Sequence, residues 1–565
     1  MGIAARTIES LEKRNESENS PLRNTAADAR MLADIEAAVA SNNLPQAVEL
    51  ARRALDDGLL HPMLLNLRSY WLLQQGRDQE ALADLAQAVE IAPRDLHARN
   101  AYGLLLGQHA RWPEALDVLK GSVRLAPDFA VARFSFGWAL ESTGSLVEAR
   151  SHYERAVALD PRFVEPIARL ANLAQRRADW SEARRLANLA LGLRPNDYVS
   201  LMVLASIAIG EGKLGEAEPI VQRLIAMPPP TPLDGALARG ILGDLRHAQA
   251  RYAQAFAAYA AGNREKFRLY APHYDKPGSS ATDYCHWLSA YFSDAPADQW
   301  SADRQQVPED GRGGATGHAF LIGFPRSGTT LLETILAAHP DVATLEERDM
   351  LGEIATELLS DDAGRDRLAG LSKEELAHWR AHYWARVREQ GTNVQGKVFV
   401  DKYPLTMMKL SIVAKLFPEA RILFALRDPR DVVLSCFRRS FVINSSTFEF
   451  LDLERAAKFY DAAMELAGIY KTKLGLAWHE VRHEAVVADL TGEAGRVCEF
   501  LGLPWRDELL DFAGHARSRA IGTPSSTQVL QGLSGEGVGL WKHYEAELGP
   551  VKGMLDKWAA RLNYG

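Results

Sequence analysis

The stretch Phe320–Leu336, "FLIGFPRSGTTLLETIL", decides how the second half of this chain folds. Apolar residues run into a glycine-bracketed loop, and the loop opens onto apolar residues at helical spacing. The pattern is strand, loop, helix. In that context Gly323-Phe-Pro-Arg-Ser-Gly328-Thr-Thr330 places consecutive backbone N–H groups, and the positive end of a helix, around one anionic oxygen cluster. A phosphate-type group is the natural guest. The spacing is close to the G-x-x-x-x-G-K-[ST] loop of ATP-binding proteins, but Thr329 stands in the lysine position and Arg326, inside the loop, supplies the cation. A kinase or NTPase without that lysine lacks a central part of its machinery.

Downstream of the loop the same alternation continues. "HAFLIGF", "KVFVDKYP", "ARILFALR" and "LAWHEVRHE" are expected strands. "GTTLLETILAAH", "LTMMKLSIVAKLF", "RDVVLSCFRRS", "LERAAKFYDAAMELAGIYKTKL" and "GEAGRVCEFLGL" are expected helices. Such an order predicts an α/β domain with a parallel sheet covered on both faces, and a ligand beyond the carboxyl ends of its strands.

The first half is periodic. Glu80-Ala81, Glu114-Ala115, Glu148-Ala149, Glu182-Ala183 and Glu216-Ala217 recur every 34 residues, and Pro93, Pro127, Pro161, Pro195 and Pro229 keep the same step. Twelve residues before each alanine is a small residue: Ser69, Gly103, Gly137, Ala171 or Ala205. Close packing of two antiparallel helices requires this, and the array resembles the tetratricopeptide repeat. Gln46-Ala47 extends the register upstream, and Gly243, Ala255 and Tyr259 fit a further repeat displaced by the "PPPT" insertion at 228–231. About seven hairpins are expected over residues 28–269, forming a concave surface of the kind that binds a protein or peptide. Single leucines, alanines and aromatics here are stacking core. Residues 270–317 carry the glycine, proline and polar residues of a linker, in "YDKPGSSATDYCHW" and "VPEDGRGGATG", with a short helix between them. A second domain is expected over 318–565.

The 565 residues and 62.4 kDa exceed one ordinary core, so two or more domains are expected. The net charge of −8 and pI near 6.1 argue against a general nucleic-acid binder. Cys285, Cys436 and Cys498 are too scattered for a disulfide framework or a cysteine zinc site. The N-terminal "MGIAARTIESLEKRNESENS" has no signal-like apolar core, Arg6 stands where a myristoylation motif wants Ser or Thr, and the apolar run from Leu201 is too short to span a bilayer. A cytoplasmic protein with no membrane contact is the expectation.

A second anion site is suggested by Arg427 at the end of a strand and Ser435 about two turns along the next helix. The competing reading pairs Arg427 with Asp428 or Asp431. Together, "PRSGTT" and "RDPRDVVLS" resemble the two nucleotide-binding motifs of sulfotransferases that use 3′-phosphoadenosine 5′-phosphosulfate (PAPS), over roughly residues 318–545. The resemblance implies that Arg326, Ser327, Gly328, Thr329 and Thr330 hold the 5′-phosphosulfate, while Arg427 and Ser435 hold the 3′-phosphate. It is nearest the tyrosylprotein-sulfotransferase branch, through "AAHPDVATLEERDML". That branch implies Glu347 as general base, with Glu346 the weaker candidate, Lys402 of "VFVDKYPLT" as catalytic lysine, and Ser525 of "TPSSTQV" near the transferring group. "WKHYEAEL", with Trp541 and Lys542, receives no role.

The chemistry asks for these types. An acceptor hydroxyl needs a carboxylate to take its proton. Negative charge gathering on the leaving phosphate and the sulfonyl oxygens needs Arg326, Lys402, Ser525 and the loop amides. The sulfonyl group carries less charge than a phosphoryl group, so the scheme needs no metal. Without the resemblance, Glu346 and Glu347 read as a solvated helix start and Lys402 as a surface charge. Three other functions compete: a P-loop kinase or NTPase, a repeat scaffold with an inactive sulfotransferase-like domain, and a metalloprotease read from His479-Glu480-Val481-Arg482-His483. That H-E-x-x-H pattern works only on a helix. On a strand, residues four apart are separated by about 13 Å.

Overall fold

The computed structural model describes residues 26–41, 43–109, 111–296, 300, 313–517, 533, 535 and 537–565. Contacts divide the chain into two compact units. The first is Met1–Gln175, Asp179–Ile207 and Ala226–Thr231; the second is Arg176–Ala178, Ala208–Ile225 and Pro232–Gly565.

The first unit is built of short helices in antiparallel pairs, such as Pro62–Gln74 with Asp78–Ile91 and Ala130–Ser142 with Leu146–Leu159. The small residues of the 34-residue period stand where paired helices touch. A Cβ added to Gly137 would lie 2.8 Å from the buried Tyr153 ring, so a larger residue would push the pair apart. Ala81, Ala115, Ala149 and Ala183 have no exposed surface.

The second unit opens with α1 (Pro232–Ala248), α2 (Tyr252–Tyr274) and α3 (Ala281–Asp294). Helix α3 starts inside the stretch read as linker, because Ser280 and Asp283 form a reciprocal capping box. "VPEDGR", the start of the second linker-like stretch, lies outside the described residues. Five parallel strands follow: β1 (Gly317–Gly323), β2 (Val342–Glu346), β3 (Val398–Lys402), β4 (Arg421–Leu426) and β5 (Ala477–Arg482), in the order β2-β3-β1-β4-β5. The helices relevant to the site are α4 (Thr329–Ala337), α5 (Lys373–Glu389), α6 (Leu410–Leu416), α7 (Pro429–Arg438), α8 (Leu453–Lys473) and α9 (Leu490–Leu501).

Both sheet faces are buried. Phe320, Ile322, Phe399, Ile422 and Phe424 belong to one core with α5 and α8; Ala319, Leu321, Val400, Leu423 and Ala425 belong to another with α4 and α9. This explains why the strands read as continuous apolar runs. Each large side chain so buried contributes about 1.5–3 kcal/mol.

Three elements differ from the sequence reading. Strand β2, only five residues, was hidden in the segment quoted around Glu346 and Glu347, so Glu346 ends a strand and Glu347 follows it, and neither begins a helix. "LTMMKLSIVAKLF" starts as a 3-10 turn over Pro404–Lys409 before becoming α6. The strand in "LAWHEVRHE" stops at Arg482, and His483 begins the next helix.

Candidate active site

Strand β1 feeds the loop 324–328. The chain then crosses to β2 on one side of β1, while β4 lies on the other, so a crevice opens at the carboxyl edge between β1 and β4. Gly328 caps α4 with φ +97°, and a Cβ there would stand 2.8 Å from His483 Nδ1. Glycine is required on both counts. Among the described residues no side chain caps this helix end, so an anion in front of the loop would meet its first amides. Ser327, Thr329 and Thr330 are buried around the turn.

Arg326 adopts φ +73°, a conformation that L-residues hold only under constraint. Two contacts constrain it: its Nε donates to Ser435 Oγ (3.0 Å), and Arg427 Nη1 donates to its carbonyl (3.3 Å). The expected pair Arg427 and Ser435 therefore meets at Arg326, one through the backbone and one through the side chain. The competing reading of Arg427 as an ion-pair partner holds in part, through Asp431 and not Asp428. Asp428 is taken by Arg430 at 2.7 Å, and Asp431, 4.0 Å from Arg427, accepts the amides of Gly539 and Trp541. Arg427 also donates through Nη2 to the Gly537 carbonyl, and among the described residues its buried Nε has no partner.

At the end of β3, Lys402 has no exposed surface, which excludes the surface-charge reading. Its Nζ donates to Glu347 Oε1 at 2.9 Å and lies 3.8 Å from Glu346 Oε1. Glu347 has φ +41°, and its amide donates to the Lys402 carbonyl. Among the described residues, two of the five non-glycine residues with positive φ, Arg326 and Glu347, thus belong to the expected site. Ser525 lies outside the described residues. Trp541 stacks under the Arg430 guanidinium, a structural placement.

The electrostatics are those of a cation cluster. Burial, then the like charges of Arg439 and Arg427, push the Arg326 guanidinium down to about 9, while Glu347 is near enough to act in the opposite sense. The charged form of a side chain that normally stays protonated is destabilised here mainly by burial, with the neighbouring arginines adding to it.

Residues 319–507 match the sulfotransferase family, and residues 32–95 and 101–162 match the tetratricopeptide repeat. The chain carries a sulfotransferase-family domain behind tetratricopeptide repeats. It is 27% identical over 208 residues to protein-tyrosine sulfotransferase A of Caenorhabditis elegans, covering 36% of this chain and 54% of that one. It is 28% identical over 234 residues to the protein-tyrosine sulfotransferase of Drosophila melanogaster, covering 39% and 46%. An uncharacterized protein of Aquifex aeolicus is 24% identical over 250 residues, covering 43% and 33%. The chain thus spans between a third and just over half the length of these relatives. Among solved structures, a tetratricopeptide repeat protein from Parabacteroides merdae is similar over 43% of this chain and 94% of its own, with 17% identity and a TM-score of 0.33.

Two residues of the sulfotransferase-family domain escaped the sequence reading. Arg439 acts on Arg326 more strongly than Arg427 does, and it stands one helical turn after Ser435, so the (i, i+4) spacing was an available signal. His483 was visible only as half of H-E-x-x-H. In the structure its ring packs on Gly328, whereas His479 stacks on Phe500, so the two histidines face different neighbours. Burial, Arg427 and Arg326 push His483 down to about 3, and among the described residues its Nδ1 has no partner. No described helix is long and apolar enough to cross a membrane.

Proposed function

We propose that this chain transfers the sulfonyl group of PAPS to an acceptor hydroxyl, with a protein tyrosine as the leading acceptor. The observation that carries the reading is that Arg326 sits buried in the loop with Arg427 donating to its carbonyl, and that burial first, then the charges of Arg439 and Arg427, lower its pKa, a cost that an anion between them relieves. The groups present fit such a donor. Loop amides and Arg326 suit a 5′-phosphosulfate, and the unpartnered Nε of Arg427 with the Ser435 hydroxyl suits a 3′-phosphate. ATP carries no 3′-phosphate and would leave the second set unused.

The donor supplies a sulfur–oxygen bond whose breaking leaves charge on its phosphate. The chain's residues supply the rest. Glu347, kept close by Lys402, takes the acceptor proton. Lys402, at the end of β3, and Arg326, in the loop after the neighbouring β1, stand at the same edge of the sheet, and each would offer a donor where charge develops. Names of the curated relatives support a tyrosine acceptor, and the repeat array is assigned to presenting that acceptor, or a protein partner, to the site. The test is sulfur-35 transfer from labelled PAPS to a tyrosine-peptide library, monitored together with release of adenosine 3′,5′-bisphosphate. Labelled peptide with matching bisphosphate is expected. Turnover of ATP instead, or bisphosphate binding with no acceptor labelled, would overturn it in favour of a kinase or an inactive scaffold.

A further inference from the structure

The last turn of α7 is gripped from two sides. On one side, Ser435 Oγ accepts from Arg326 Nε at 3.0 Å, and Cys436 Sγ donates to the Pro325 carbonyl at 3.3 Å, so consecutive residues hold the glycine loop. On the other side stands α2, the helix that the sequence assigns to the final repeat. Asn263 Nδ2 donates to the Phe437 carbonyl at 2.8 Å, and Lys266 Nζ donates to Ser440 Oγ at 3.1 Å. Phe256 of α2 stacks on Phe437 with ring centroids 5.0 Å apart.

These are not ordinary surface contacts. Asn263 and Lys266 are both only 5% exposed, and among the described residues no carboxylate pairs with Lys266. Burial of the amine pushes it down to about 8. A buried lysine without a counter-ion is costly to keep, so its place needs a reason. Its position supplies one. The last carbonyls of a helix lack intrahelical donors and carry the negative end of the macrodipole. Asn263 satisfies one such carbonyl, and Lys266 sets a positive charge beyond that end.

We infer that Asn263 and Lys266 are positioning residues for the donor site, holding the last turn of α7 where Ser435 and Cys436 meet the loop. The final repeat-like hairpin thereby belongs functionally to the catalytic unit. The inference rests on the proposed donor assignment.

The test is a double-mutant cycle in the full chain, with adenosine 3′,5′-bisphosphate as probe, well below the unfolding temperature. Asn263→Ala should weaken binding by up to roughly tenfold, near the upper end of the effect of losing one neutral hydrogen bond. The same change in a Ser435→Ala background should cost much less, because Asn263 acts through that turn. Tyr274→Phe, which removes a longer α2 contact to the Ile443 carbonyl (3.4 Å), should leave affinity unchanged. Lys266→Met retains the stem and removes the charge; it should weaken binding in the same direction even if Asn263→Ala fails to fold. No binding by the wild-type chain overturns the donor assignment, and this inference with it. Wild-type binding with unchanged affinity in Lys266→Met and Asn263→Ala, or strictly additive losses with Ser435→Ala, overturns the inference alone.

Discussion

Replacing Arg427 by alanine tests the proposed donor site one phosphate at a time. In the structure, Nη1 and Nη2 each donate one N–H to a carbonyl, of Arg326 and Gly537, while the buried Nε has no partner among the described residues, so Nε is the guanidinium nitrogen best placed to gain a hydrogen bond from a ligand. One charge-assisted hydrogen bond is worth about 1.5–3 kcal/mol, equivalent to roughly 10- to 150-fold in Kd. Ser435 already accepts from Arg326 and offers only a neutral O–H, so Ser435→Ala should cost about 0.5–1.5 kcal/mol. Calorimetry on adenosine 3′,5′-bisphosphate and on AMP gives the decisive comparison. AMP lacks the 3′-phosphate, so its affinity should change little in either variant while the gap between the two ligands closes. Thermal unfolding must be followed in parallel, since Arg427 also stands 4.0 Å from the buried Asp431. An equal loss for both ligands would show that Arg427 only supports the loop. No loss for either would place the 3′-phosphate elsewhere.

Further outcomes follow from the other end of the site and from the core beneath it. Glu347→Gln should lower kcat by about 10²–10⁴ with bisphosphate affinity unchanged, as expected for a base that does not hold the donor. Lys402→Met should lower kcat by about 10²–10³ in single-turnover labelling, since it removes a donor aimed at developing charge. Asp401, on β3 beside Lys402, is buried and raised to about 7 mainly by desolvation, with Asp349 adding to the rise; the Tyr383 hydroxyl, Lys409 and Lys402 act against it. A folded-state pKa above the unfolded value of 3.8 means that the native state binds the extra proton, so stability falls as pH rises from about 4 to 7, by at most about 1.4 kcal/mol per pH unit. Asp401→Asn should remove that slope, measured by urea unfolding across the range, with Tyr383 still able to donate to the amide oxygen. An unchanged slope would refute the assignment.

What the chain's own order determined is its local grammar. The 34-residue period specifies helical hairpins because small residues at one spacing are what two touching helices need, as Gly137 against Tyr153 shows. The loop between Gly323 and Thr330 was legible because a buried strand, a turn needing φ > 0 and a helix start all lie within fourteen residues of one another. Tertiary structure decided the rest. Strand β2 is too short to signal itself and exists through its ladder with β3, which sets Glu346 directly beside Lys402. Lys402 reads as an ordinary charge until the sheet buries it. Arg427 and Ser435 meet at Arg326 rather than directly, because the loop runs between them. Asn263 is 174 residues from the carbonyl it holds, and nothing local marks it. Periodicity and loop chemistry act over a few neighbours, whereas the partners of a buried charge or an orphan helix carbonyl are chosen only when distant elements pack.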